Sequence, residues 1–217
     1  MTFARRSAAV LSAATLSAVV LGVALLALPA RAQNAGTSDA GTSDPGAVKA
    51  GTYVLDPGHS RVSWSVTHLG FSTYTGLLPA AEGTLVLDPA APEKSTLTVT
   101  LHTGKVGTLD PALDQHLKSA EFFNVEKFPT ATFKATQIVA SGKSAKITGD
   151  LTLLGVTKPI TLDATFNKAG TNPLDKTYSL GFDAKAVIKR SDFGMKTYVP
   201  AVSDEVTLQI ETELKAK

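Results

Sequence analysis

From residue 61 to 68 the chain reads RVSWSVTH, and every second side chain is apolar or carries a ring. Val62, Trp64, Val66 and His68 fall on one side, and Arg61, Ser63, Ser65 and Thr67 on the other. A period of two belongs to an extended strand, here with one apolar and one wetted face. Such a strand must find a partner surface, and the same pattern returns along the chain. Tyr53-Val54-Leu55 opens it, followed by a turn at Asp56-Pro57-Gly58. Residues 59–76 hold the organising strand, with Gly70 and Gly76 marking a bulge or bend at its far end. Residues 82–88 read as a strand closed by Asp88-Pro89. Residues 95–102 alternate Leu97, Val99 and Leu101 against Thr96, Thr98 and Thr100.

Four further strands follow. Residues 130–139 place Ala131, Phe133, Ala135 and Gln137 on one face, and residues 145–154 group Ile147, Gly149, Leu151 and Leu153. A turn over Gly155-Val156-Thr157-Lys158-Pro159 leads to residues 160–167, with Ile160, Leu162, Ala164 and Phe166 inward. Residues 178–188 align Leu180, Phe182, Ala184, Ala186 and Ile188. Residues 190–200 form a long irregular loop, and residues 206–214 end the pattern with Val206, Leu208 and Ile210. One helix interrupts the series. Asp110 is an N-cap, Pro111 stands at the first helical position, and Leu113 and Leu117 are four apart, which predicts a helix over 111–119. It runs into Phe122, Phe123 and Phe128, which read as a lid pressed over something apolar.

The expectation is an all-β fold, an extended antiparallel eight-stranded barrel with a short helical lid. Small inward residues (Ala131, Ala135, Ala164, Ala184, Ala186) beside Phe and Trp suit a hollow interior. They equally suit a tapered interior filled by alternating small and large side chains.

Ahead of the strands lie 51 residues of another character. Arg5 and Arg6 precede an uncharged run rich in Ala, Val and Leu that ends at Pro29, and Ala30-Arg31-Ala32 has the form of a signal-peptidase site. Residues 1–32 therefore read as a signal peptide, or as an uncleaved anchor spanning the interval between Arg6 and Arg31. Either places the domain in the periplasm or outside the cell. Residues 33–51 repeat AGTSD and bury nothing periodic, so they read as a flexible linker. The domain is then residues 52–217.

Composition excludes several chemistries. The chain has no cysteine, hence no disulfide, thiol nucleophile or Cys-based metal site. Three of its 21 Lys and Arg lie before residue 33, and the rest nearly balance the 19 Asp and Glu. That argues against nucleic acid as a partner. His59, His68, His102 and His116 show no ligand-like spacing, so no metal site is expected. Asp114 and His116 lie close together, but no G-x-S-x-G serine accompanies them and no glycine-rich loop precedes a helix to hold phosphate. The loop KRSDFGMK at 189–196 sets cations beside Phe193 and Met195, as either the rim of a site or a solvated loop.

Four stretches together resemble the YceI-like family of lipocalin-like secreted bacterial proteins. They are DPGHSRVSWSVTHLGFSTYTG at 56–76, HLKSAEFFNVEKFPTATF at 116–133, GDLTLLGVTKPITL at 149–162 and IKRSDFGM at 188–195. The resemblance implies a barrel that binds a polyisoprenoid or similar long amphipathic lipid, such as an isoprenoid quinone, and implies no catalysis and no other cofactor. The partner would be a hydrophobic small molecule or lipid, with transient membrane contact, for a monomer or homodimer. The strand pattern then offers Trp64, Val66, His68, Phe71, Leu117, Phe122, Phe123, Phe133, Leu151, Leu153, Phe182, Phe193 and Met195 as ligand-lining residues, with Tyr74 and Arg190 at the head-group rim. Two other readings stay open: an envelope stress protein with a filled core, and a hydrolase using a barrel-mouth His and Asp.

Overall fold

The computed structural model describes residues 41–217, so the signal-peptide or anchor reading of residues 1–32 lies outside the described residues. Among the described residues nine strands form one antiparallel sheet: β1 (Gly51–Leu55), β2 (Arg61–His68), β3 (Ser72–Leu87), β4 (Thr96–His102), β5 (Thr130–Ser141), β6 (Ser144–Leu153), β7 (Val156–Thr171), β8 (Tyr178–Lys189) and β9 (Glu205–Ala216). Each strand from β2 to β9 pairs with the next, and β2 also pairs with β9, which closes an eight-stranded barrel. β1 extends β2's place in the ring, pairing with β3 through Gly51–Val54 and with β9 through Tyr53–Leu55. Between β1 and β2 the chain steps out at Asp56 and returns at Ser60. Hydrogen bonds from Asp56 N to Glu213 O and from Ala80 N to Ser60 O, at 2.9 and 3.1 Å, keep the wall stitched there.

Closure demands coiled strands, and bulges supply the coil. Register shifts fall at Ala80/Glu82, Ala135/Gln137 and Phe166/Lys168. Each resets the inward phase. On β5, Ala131 and Phe133 are inward as expected, but past the bulge Ile138 is buried and Gln137 is exposed. The expectation for Gln137 is corrected on that ground. β3 is one strand of 16 residues, not a strand beginning at residue 82. Its first half pairs with β2 through Ser72–Pro79, and Tyr74, Gly76, Leu78 and Ala80 keep the same period. The β6–β7 turn is also tighter than expected. Leu154 and Gly155, at φ 51° and 75°, form a two-residue hairpin turn, and Val156–Pro159 already belongs to β7.

The helix α1 (Pro111–Lys118) forms as expected, with the Asp110 carboxylate accepting from Ala112 N and Leu113 N. It sits at the end where the β2–β3 and β6–β7 turns and residues 190–204 gather, here called the lid end. Leu117 packs with Val106 and Leu78. The opposite end carries a correction to the linker reading. Residues 42–50 are packed against the barrel: Thr42 bridges to Ala169, and Val48 is 7% exposed in a cluster with Tyr53, Leu85, Phe166, Leu180 and Leu214.

Candidate functional site

A cavity of about 650 Å³ runs through the barrel interior, within the range of about 300–1,000 Å³ usual for small-molecule sites. It reaches His116, Tyr198 and Val202 at the lid end, and Pro45, Pro89 and Gly142 at the far end. With 16 residues in β3, at about 3.3 Å each and a tilt of about 40°, the barrel spans about 40 Å along its axis. The inward side chains bear out the hollow. Ile147, Ile160, Leu208 and Ile210 all face inward and line the cavity, yet each is only half-buried. In a filled barrel these branched residues would be sealed.

Most of the sequence-derived lining residues meet in this space. Trp64, Val66 and His68 reach it from β2, and Phe133, Leu151, Leu153 and Phe182 from the strands opposite. Leu117 on α1, with Phe122 and Phe123 just beyond it, covers the lid end, and Met195 enters from the loop after β8. Two residues are not brought in. Phe71 is 89% exposed at the tip of the β2–β3 turn, and Phe193 is 2% exposed, sealed in one cluster with Phe133, Leu151 and Leu153 without itself lining the cavity. Phe71 lies in the turn between β2 and β3, and Phe193 ends a short 3-10 segment (Arg190–Phe193), so neither follows the strand period. Sequence reasoning passed over Leu78 and Ala80, which the alternation of β3 would have found. It also missed Ile138, hidden by the bulge, and Tyr198, Val202, Pro45 and Val48, for which no periodic signal exists.

The wall around Trp64 depends on one glycine. Trp64 and Gly76 are direct cross-strand partners. A Cβ on Gly76 would stand 2.2 Å from Trp64 Cζ2, so the indole lies flat against bare backbone. Trp64 Nε1 is buried there with no partner among the described residues.

The lid-end mouth carries polar rings. His68, Tyr74, His116 and Tyr198 line it, with His116 edge-on to Phe122 at 5.0 Å and 6.2 Å from Tyr198. Tyr74 borders the cavity from β3. Arg190 is only 4% exposed. Its Nε donates to Ser203 O at 2.9 Å, Nη1 to Thr197 O at 2.8 Å and Met195 O at 3.2 Å, and Nη2 to Val202 O at 2.9 Å. Burial lowers its pKa, and nearby Asp204 opposes that. Arg190 borders the cavity, but four of its five N–H donors are committed to backbone carbonyls of residues 195–203.

The His–Asp pair of the hydrolase reading is not assembled. Asp114 Oδ1 accepts from Thr108 N at 2.6 Å and Thr108 Oγ1 at 2.8 Å, while His116 Nε2 pairs with Glu121. Outside the barrel, Asp56, His59 and Glu213 converge, but Asp56 Oδ2 already meets His59 Nδ1 and Lys215 Nζ, each at 2.9 Å. Lys215 continues to Asp175 at 2.7 Å. This network ties β9 to the β1–β2 and β7–β8 turns, and it holds the Asp56 carboxyl down to about 2, chiefly through Lys215.

Comparison with known proteins agrees with this geometry. The YceI-like domain matches residues 53–214. Protein YceI of Salmonella arizonae is 41% identical over 155 residues, 71% of this chain and 81% of the relative. The crystal structure of the Campylobacter jejuni YCEI protein aligns with a TM-score of 0.57 at 34% identity, covering 64% of this chain and 80% of that one. A polyisoprenoid binding domain from Saccharophagus degradans aligns at TM-score 0.58 over 78% of this chain and all of that one. At 12% identity the last is a likeness of fold.

Proposed function

The chain belongs to the YceI-like family, and from that premise we propose that it binds a polyisoprenoid or similar long amphipathic lipid, such as an isoprenoid quinone, without chemical change. The observation that carries this is the apolar cavity of about 650 Å³ along the barrel axis. The driving force is burial. At about 0.8 kcal/mol per carbon, each five-carbon isoprene unit contributes about 4 kcal/mol of gross gain. Association costs about 4–15 kcal/mol, so a tail of about four units outweighs even the upper figure. The polar rings of His68, Tyr74, His116 and Tyr198 then hold the head at the lid-end mouth.

Function in this reading is sequestration or transport within the cell envelope, since residues 1–32 read as a secretory signal or anchor. Exposed Leu69 and Phe71, at the tip of the turn whose flanking residues His68 and Tyr74 line the mouth, would touch a membrane transiently during transfer. Native mass spectrometry of the protein purified from its host tests the reading. A hydrophobic adduct of isoprenoid mass is expected. Protein that is ligand-free and also takes up no added isoprenoid quinone would overturn it.

A further inference from the structure

A tail has a length, and one segment of this chain stands where length is decided. Residues 42–50 precede the strands and lie outside the stretch 53–214 that matches the family. The ring of β2 to β9 closes without them. They are nonetheless built into its far end. Thr42 exchanges both backbone hydrogen bonds with Ala169, at 2.6 and 2.8 Å. Asp44 caps the short turn Pro45–Ala47 by accepting from Gly46 N at 2.9 Å. Tyr53 donates to Lys49 O at 2.6 Å, and the Lys49 ammonium lies 4.3 Å from the centre of the Tyr178 ring. These ties set Val48 against Leu85, Phe166 and Leu214, three residues of the cavity wall, and bring both Val48 and Pro45 onto that wall.

Resting on the lipid-binding reading above, the geometry points to residues 42–50 as a floor that fixes the longest hydrocarbon tail the channel accepts. With the head held at the lid-end mouth, the terminal carbons of the tail meet Val48 and Pro45. Val48 is backed by Tyr53, Ala169 and Leu180, members of its own cluster and each at most 2% exposed, and a packed cluster does not admit a further unit. A longer tail has to fold back or leave its last carbons in water, where burial contributes nothing more.

The test offers the full chain an equimolar series of benzoquinones whose tails lengthen one isoprene unit at a time, with bound masses read by native mass spectrometry. Val48→Trp raises the floor, and the bound distribution is expected to shift toward shorter tails. Thr42→Pro removes the N–H that holds the segment to Ala169 while leaving the strand ring intact, and is expected to extend the distribution toward longer tails. It also keeps the test alive if the tryptophan variant does not fold. A distribution that matches the parent's in the folded variants overturns the floor and leaves the carrier reading standing. A parent that binds no member of the series overturns both.

Discussion

Replacing Gly76 with alanine should destabilise the barrel, although strand propensity alone argues the opposite. Glycine inside a strand costs about 0.5–1 kcal/mol relative to alanine, so at an open position the substitution would stabilise. At residue 76 the new Cβ would fall 2.2, 2.6 and 2.9 Å from Trp64 Cζ2, Cε2 and Cη2. Relief to an ordinary carbon–carbon separation moves the indole by about 1.5 Å, toward the cavity. Overpacking of this kind costs about 1–3 kcal/mol. The net is a loss of about 0.5–2 kcal/mol in urea unfolding, with a smaller cavity and weaker quinone binding. Trp64 is the single tryptophan of the chain, so its emission reports on this wall alone and should change in the folded variant. Gly104 serves as the control, since nothing lies within 4 Å of a Cβ there, and Gly104→Ala should be neutral or stabilising. A Gly76→Ala protein as stable as its parent, with unchanged emission, would refute the reasoning.

Three other outcomes follow from the same geometry. Phe123→Asp puts a charge on the cavity wall and should release bound lipid, whereas Thr98→Asp, exposed on the outer face, should retain it; equal retention in a lipid-extraction assay would undo the assignment of the wall. Arg190→Ala strips four backbone carbonyls of their donor and should cost about 3 kcal/mol or more, seen as fast hydrogen exchange across residues 190–204. Asp56 lies below its ordinary 3.8 because of Lys215 and then His59, so its stabilisation is full above about pH 4 and fades as pH falls toward 2, about 1 kcal/mol after solvent screening. His59 lies above its ordinary 6.5 because of Asp56, so its share is full below that value and is lost as pH rises past it. The network is therefore strongest between about pH 4 and 6.5, and Asp56→Asn should flatten both limbs of the urea-midpoint profile.

The strands, their inward faces and the lid helix were legible in the chain because each rests on local periodicity or a local cap. Val62 to His68, Leu97 to Leu101 and the Asp110–Pro111 start are signals a few residues long. The hairpin at Leu154–Gly155 was blurred because leucine rarely takes a positive φ, so its turn lacks the usual residue pair. The phase of Ile138 was out of reach, since a bulge is set by the partner strand. The neighbours of Arg190, the outward throw of Phe71 and the sealed position of Phe193 depend on loops folding back over distances that no period encodes.

Alternation alone therefore determined that this chain makes a sheet with one apolar side. That the sheet closes, that its middle stays hollow, and that residues 42–50 pack against its far end were decided only in three dimensions. A side chain's facing is a property of its own strand, while an enclosed volume belongs to all the strands at once and to whatever packs across their ends.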